Sequence, residues 1–290
     1  MPQDLPLSGR TALVTGVSRR RGIGFAVATK LATLGASVFI HHYRPHDERL
    51  PWGGDDLDEV RSGVRAALTG DATTGDIDAD LTDASKVPAV LDAAFSLTGD
   101  LDIVVCNHAR SGDDGSILDM TPERLDAFWD TNTRSTLLLT AEFARRKSGA
   151  AQAAPLRPGD PVPFHGPFTS PVGRVFWMTS GQIDEAMPGE VAYATSKAAL
   201  AGVTKTVAAE LMRLGIVLNT INPGPVNTGY LDADTTDRAL DSLDERFAAL
   251  PFGRVGAPSD PAELIGWLSS SGGSWIVGQV LTSDGGFSLS

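Results

Sequence analysis

The chain is constrained most by a rhythm. Short aliphatic and β-branched runs alternate with longer stretches whose apolar residues recur at helical spacing. Thr11–Val14, Ser37–His41, Asp76–Asp78, Leu101–Cys106, Val175–Met178, Val217–Ile221 and Ile276–Thr282 read as strands. Between them, Ile23–Leu34, Leu57–Leu68, Asp83–Leu97, Ala192–Leu214, a stretch near Leu240–Leu250 and Pro261–Ser269 read as helices. Another long helix opens at Thr121-Pro122-Glu123, with Thr as cap and Pro in the first turn, and runs to about Arg146. Strands separated by a helix-length segment cannot pair through a tight turn, so they join by crossovers and run parallel. The expected class is α/β: a doubly wound parallel sheet with helices on both faces. No repeat or linker interrupts the pattern, so residues 1–290 are expected to form one domain. Two segments break the rhythm, about 43–56 and 148–173. Rich in Pro and Gly, they read as long surface loops, with cover over a site as the lesser alternative.

Composition narrows the partners. Asp and Glu number 36 against 24 Lys and Arg, a formal net charge of −12. Such a surface repels phosphate backbones and anionic bilayers, so no nucleic acid and no membrane are expected as partners. Cys106 is the only cysteine, which rules out an internal disulfide and fits a reducing, cytoplasmic compartment. Met1–Arg10 holds no leader-like apolar stretch, and no run approaches the roughly 18 apolar residues that span a bilayer. His41, His42, His46, His108 and His165 lack metal-ligand spacing, and Asp71, Asp76, Asp78, Asp80 and Asp83 lack that of a calcium loop, so no metal is expected.

The first strand leads into Thr15-Gly16-Val17-Ser18-Arg19-Arg20-Arg21-Gly22-Ile23-Gly24, which opens the first helix. Glycines there let the backbone turn sharply and approach a pyrophosphate, while free amides at the helix start face its charge. Glycines near a strand end are common in turns; the placement between strand and helix makes this a dinucleotide site of the Rossmann fold.

Tyr193 and Lys197 lie four residues apart at the start of a helix and so share a face. A free phenol, with a pKa of about 10, shuttles protons poorly near neutrality, and a neighbouring ammonium favours its ionised form. By itself such a pair is as readily a solvated helix face. Ser180 follows a strand end, where open α/β sheets place their ligand crevice, and is placed to bond a carbonyl unless it is an ordinary loop serine. Asn132 sits inside a long helix, unfavourable for Asn unless its amide is used or exposed.

Together with Asp80-Leu81-Thr82, Asn107-His108-Ala109, Asn222-Pro223-Gly224 and Asp284-Gly285-Gly286, these motifs appear in the order found in the short-chain dehydrogenase/reductase family, which the chain resembles over roughly residues 8–287. The resemblance implies a hydride-transferring oxidoreductase acting on a carbonyl or secondary alcohol, most similar to the 3-oxoacyl-thioester (acyl-carrier-protein) reductase branch. It implies Tyr193 as general acid/base, with Lys197 lowering its pKa and binding the nicotinamide ribose. Ser180 would orient the carbonyl and Asn132 hold a proton-passing water. Asp80 with Leu81 would meet the adenine, Asn107 and Ala109 support the cofactor, and Thr228 meet the carboxamide. Gly16, Ser18, Arg19, Gly22, Ile23, Gly24, Pro223, Gly224 and Val226 complete the implied cofactor contacts. Enoyl reductases of the family separate Tyr and Lys by six residues, unlike this chain. A non-catalytic NADP(H)-binding sensor or scaffold of the same fold is the alternative.

The chain also departs from the family pattern. Five residues separate Gly16 from Gly22 where three are usual, and His108 and Arg110 replace an Asn and a Gly. The second strand ends Ile40-His41-His42-Tyr43-Arg44, with no carboxylate before Asp47 where an NAD site places one to hold the ribose hydroxyls. With Arg19 at the family position that grips a 2′-phosphate, and Arg20, Arg21 and Arg44 nearby, the expected cofactor is NADPH/NADP+ rather than NADH. The resemblance further implies a homo-oligomer, a tetramer formed through helices 122–146 and 192–214, and Leu137, Leu138 and Leu139 supply excess apolar surface on the first of them.

Overall fold

The computed structural model describes residues 5–149, 156–232, 234–236 and 252–289. The element order is β1 Thr11–Thr15, α1 Ile23–Thr33, β2 Ser37–His42, α2 Arg44–Asp47, α3 Leu57–Ala66, β3 Thr74–Asp78, α4 Val87–Ser96, β4 Ile103–Cys106, α5 Pro122–Phe128, α6 Ser135–Lys147, β5 Gly173–Met178, α7 Val191–Met212, β6 Ile216–Asn222, α8 Ser259–Ser269 and β7 Val280–Thr282. The seven strands form one sheet in the order β3-β2-β1-β4-β5-β6-β7, every pair parallel.

Strand side chains alternate between faces, and the two cores follow that alternation. Leu13, Val104, Cys106, Val175 and Trp177 pack on one face with buried residues of α4, α6 and α7. Ala12, Val14, Ile103, Val105, Phe176 and Met178 pack on the other with α1, α3 and α8. Because both faces are covered, β1, β4 and β5 are buried along their whole length, which is why they read as continuous apolar runs. The chain reverses its winding between β1 and β4, and at that switch point the carboxyl ends of the strands open into a crevice.

Several elements differ from the sequence reading. The helix expected from Thr121 to Arg146 is not wound uniformly: between α5 and α6 it takes π geometry over Trp129–Arg134, around Asn132. A π turn inserts a residue into the helical ladder and re-aims side chains, which periodicity cannot reveal. The loop after β2 contains the short α2, with Pro45 in its first turn and an Arg44–Glu48 ion pair at 2.8 Å. The helix expected from Asp83 begins as a 3₁₀ turn, Ala84–Lys86, capped by Asp83, before α4 starts at Val87. The last strand shortens to Val280–Thr282. The helical stretch expected near Leu240–Leu250 lies outside the described residues. Among the described residues, no helix is long and apolar enough to cross a membrane.

Candidate active site

The carboxyl end of β1 leads into the glycine turn. Gly16 has φ +71°, and a Cβ there would stand 2.7 Å from the His108 Cα. A Cβ at Gly24 would stand 2.5 Å from the Gly16 carbonyl oxygen and 2.6 Å from Asn107 Nδ2. Gly16 therefore serves a left-handed turn and Gly24 a close helix–turn contact. Asn107 Nδ2 donates to the carbonyls of Thr15 and Gly16, at 3.1 and 3.2 Å. Gly22 forms the N-cap of α1 and no side chain caps it, leaving the amides of the first turn to an outside acceptor.

Two buried imidazoles hold this turn from below. Gly16 N donates to His41 Nδ1 at 3.3 Å, so His41 Nε2 carries the proton it gives to the Ala79 carbonyl at 2.8 Å. Burial holds His41 neutral, its pKa lowered to about 4. His108 stands where the family motif has Asn. Its Nδ1 lies 2.7 Å from Thr15 Oγ1 and its Nε2 2.7 Å from Ser135 Oγ. Ser135 gives its hydrogen to the Thr131 carbonyl, so it accepts from Nε2, which leaves Nδ1 to accept from Thr15. Burial pushes the pKa of His108 well below the usual imidazole range.

Above the turn lie two adjoining cavities. One, of about 260 Å³, is lined by Gly16, Ser18, Arg19, Gly22, Ile23, Asn107 and Ala109 on one side and by Ser180, Tyr193, Lys197, Pro223, Gly224, Val226 and Thr228 on the other. The second, of about 350 Å³, adds Asp80 and Leu81 and shares Gly16, Ser18, Asp47, Asn107 and Ala109 with the first. Gly24 and Asn132, both named from the sequence, line neither cavity. The two cavities meet at Gly16, Ser18, Asp47, Asn107 and Ala109, so the turn whose free amides can accept a phosphate lies between them.

Within the first cavity, Lys197 Nζ lies 5.8 Å from the Tyr193 ring centroid and donates to the Met178 carbonyl at 3.0 Å. Burial lowers the pKa of Lys197 to about 8. Phe128 meets the Tyr193 ring edge-on, with centroids 6.4 Å apart. Asn132 is fully buried and its amide is spent on protein: Oδ1 accepts from Arg110 N at 2.6 Å, and Nδ2 donates to Arg110 O at 3.2 Å and Ser196 Oγ at 2.9 Å.

The arginines arrange themselves differently from the sequence reading. Arg20 pairs with Glu59 at 2.9 Å, Arg21 with Asp232 at 2.5 Å and Arg44 with Glu48. Arg19 instead donates to the Thr228 carbonyl at 2.5 Å and lies 5.8 Å from the Trp52 ring centroid. The segment expected to leave the ribose end without a carboxylate supplies one after all. Asp47, brought back by α2, lines both cavities and accepts from the Ser18 hydroxyl, its pKa raised by burial. His42 lines neither cavity; it is buried, with Nε2 2.9 Å from Asp76.

Sequence reasoning missed Asp47 and Trp52 as cavity walls; Trp52 meets Tyr230, whose segment is expected from the sequence to wall the pocket, edge-on at 6.3 Å. It also missed that the Asp114 carboxylate accepts from Ala192 N and Tyr193 N, at 3.1 and 2.7 Å, because its position in Asp113-Asp114-Gly115 carries no signal of such distant partners. Among the described residues no three His, Cys, Asp or Glu side chains converge as a metal site would require.

The family whose profile is described as "Enoyl-(Acyl carrier protein) reductase" matches residues 16–154 and 165–288. An NADPH-dependent aldehyde reductase-like protein of Arabidopsis thaliana is 33% identical over 98% of this chain and 96% of its own length. The 3-oxoacyl-[acyl-carrier-protein] reductase FabG of Rickettsia bellii is 30% identical, covering 97% and 98%. A solved short-chain dehydrogenase/reductase from Serratia marcescens superposes with a TM-score of 0.76 at 28% identity, over 98% of this chain and 99% of that one. Fold, site motifs and relatives agree: the chain belongs to the short-chain dehydrogenase/reductase family and is an oxidoreductase with a site for a nicotinamide cofactor.

Proposed function

We propose that the protein interconverts a carbonyl and a secondary alcohol with NADP(H), and that Tyr193 is its proton donor and acceptor. The observation that carries this reading is that Ser180, Tyr193 and Lys197 line the same cavity as the uncapped start of α1. A bound nicotinamide supplies or accepts the hydride. Tyr193 gives its hydroxyl proton to the carbonyl oxygen, and the buried Lys197 ammonium stabilises the phenolate left behind. Ser180 donates to the same oxygen and fixes its direction. Asn132, its amide committed to Arg110 and Ser196, acts by holding the loop and helix that frame the cavity.

We favour NADPH over NADH because Arg19, alone of the turn arginines, has no carboxylate within ion-pair distance among the described residues. The name of the Arabidopsis relative supports this choice. A 3-oxoacyl thioester is the first substrate to try, on the name of the Rickettsia relative and the four-residue Tyr193–Lys197 spacing. We also place the protein in the cytoplasm and propose a homo-oligomer, a tetramer. Of the leucines expected to supply its surface, Leu139 is buried and Leu137 and Leu138 pack against the core. The support comes instead from the exposed Leu125 and Trp129 of the same stretch and from Ile117 and Leu118 before it. A panel of 3-oxoacyl thioesters, aldehydes, ketones and secondary alcohols, followed by nicotinamide absorbance with each cofactor, tests the reading. Turnover that survives in Tyr193→Phe would overturn it.

A further inference from the structure

The helix that carries Tyr193 begins without a cap of its own: Glu190 holds the N-cap position and makes no capping bond. Its first amides are met instead by a loop far upstream in the sequence. Gly115 O accepts from Val191 N at 3.2 Å. Asp114 Oδ1 accepts from Ala192 N at 3.1 Å, and Asp114 Oδ2 from Tyr193 N at 2.7 Å. These last two are the amides that a helix's own capping side chain serves. The backbone just before Asp114 is constrained to aim it: Asp113 has φ +52°, a region that side-chain-bearing residues seldom enter.

The other side of the tyrosine peptide is held too. Tyr193 O accepts from Ser196 Oγ at 2.8 Å, and Ser196 Oγ accepts from Asn132 Nδ2. Asn132 in turn clamps Arg110, at the near end of the same loop. We infer that Asp114 is a positioning residue for Tyr193, acting as a cap supplied by a distant loop of the same chain that ties the cavity-lining loop 109–115 to the catalytic helix. It touches no reacting atom; it sets the direction from which the phenol reaches the cavity, and a misplacement of about 1 Å can cost about 10²-fold in rate.

This inference rests on Tyr193 as the proton donor, so Tyr193→Phe is measured beside the Asp114 variants, with the carbonyl compound and cofactor that give turnover in the panel above. Asp114→Ala is expected to lower kcat by about 10–10²-fold with the cofactor Kd within twofold of the parent. Hydrogen exchange should quicken in peptides covering residues 190–197 and stay unchanged across residues 15–24. Asp114→Asn retains one acceptor oxygen and should fall between the two in both readouts. It decides the matter if the alanine variant does not fold. A parental kcat and parental exchange at 190–197 in Asp114→Asn would overturn the inference, as would a lowered melting temperature with unchanged kcat in Asp114→Ala. If Tyr193→Phe stays active, the reading of the tyrosine falls; if it is inactive while both Asp114 variants are unimpaired, only the positioning role falls.

Discussion

Behind the cavity wall formed by Tyr193 and Lys197, Asn132, Thr133 and Ser196 are buried and bond to one another and to backbone, and Asp114 closes the helix end. Around the glycine turn, Arg20, Arg21 and Arg44 line neither cavity, and each reaches a carboxylate at or near the surface. Buried hydrogen bonds whose partners cannot turn to water fix geometry, because breaking one strands a desolvated group. Exposed ion pairs of long side chains contribute about 0–1 kcal/mol and exchange partners easily. The wall that must place a proton donor is backed by the first kind. The turn that must accept a charged ligand is flanked by the second kind, above a rigid floor made by His41, His108 and Asn107.

The largest effect should come from the rigid wall. Tyr193→Phe removes one oxygen and leaves the ring packed against Phe128. We expect turnover to fall about 10²–10⁴-fold with cofactor affinity within twofold of the parent, checked by steady-state rates and by fluorescence titration of the cofactor. A comparable loss of affinity would mean that the wall and the turn are not separable.

The floor of the turn should show itself in pH dependence. The imidazole of His41 is held at about 4 in the fold against an ordinary value of 6.5. Between those values the unfolded chain binds the extra proton, so stability is lost as pH falls from about 6.5 to about 4 and does not fall further from this source. The full contribution is roughly 3 kcal/mol by linkage. Denaturant unfolding across that range should show a steeper fall for the parent than for His41→Gln. Equal slopes in the two proteins would remove His41 from the floor.

Gly24→Ala probes the junction of turn and helix, where the added Cβ would press on Gly16 and Asn107. Backbone and a committed amide cannot give way cheaply, so we expect a loss of about 1–3 kcal/mol and weaker cofactor binding. Thermal unfolding and cofactor titration read both, and an unchanged affinity would mean that the turn tolerates displacement.

How far the sequence could be read follows the same division. The sheet and both helical layers are legible because each depends on a local period, and the Tyr193–Lys197 pair because its spacing stands in order with the family's other motifs. The π turn around Asn132 is not, because one inserted residue leaves the composition of the helix unchanged. Asp47, Trp52 and Asp114 are not, because each acts on partners that only the folded backbone brings near. The arginines show the cost of reading charge without geometry: Arg44 pairs with Glu48 one turn on, at the end of α2, and Arg20 and Arg21 pair with Glu59 and Asp232, whose proximity no spacing rule discloses.

The smallest effect bears on cofactor choice, where the turn is under most strain from competing groups. Arg19 and Asp47 both line the first cavity, and their charges ask for opposite things: a guanidinium favours a 2′-phosphate and a carboxylate favours the free ribose hydroxyl. Arg19 is half-buried and bonded to Thr228 O, so its reach toward a phosphate requires that bond to be exchanged. A hydrogen bond to a charged group is worth about 1.5–3 kcal/mol net. The bond surrendered takes back part of that, so Arg19→Ala should reduce kcat/KM for NADPH by about tenfold and leave NADH within twofold. Asp47→Asn should act in the opposite sense, raising NADPH affinity and lowering that of NADH, because it removes the repulsion and leaves an acceptor for Ser18. Arg20→Ala and Arg21→Ala, which break ion pairs, should change neither ratio by more than twofold. If Arg19→Ala instead weakens both cofactors equally, its guanidinium serves the fold through Thr228 and Trp52, and the parent's preference between the two cofactors has to be sought among Asp47 and its neighbours.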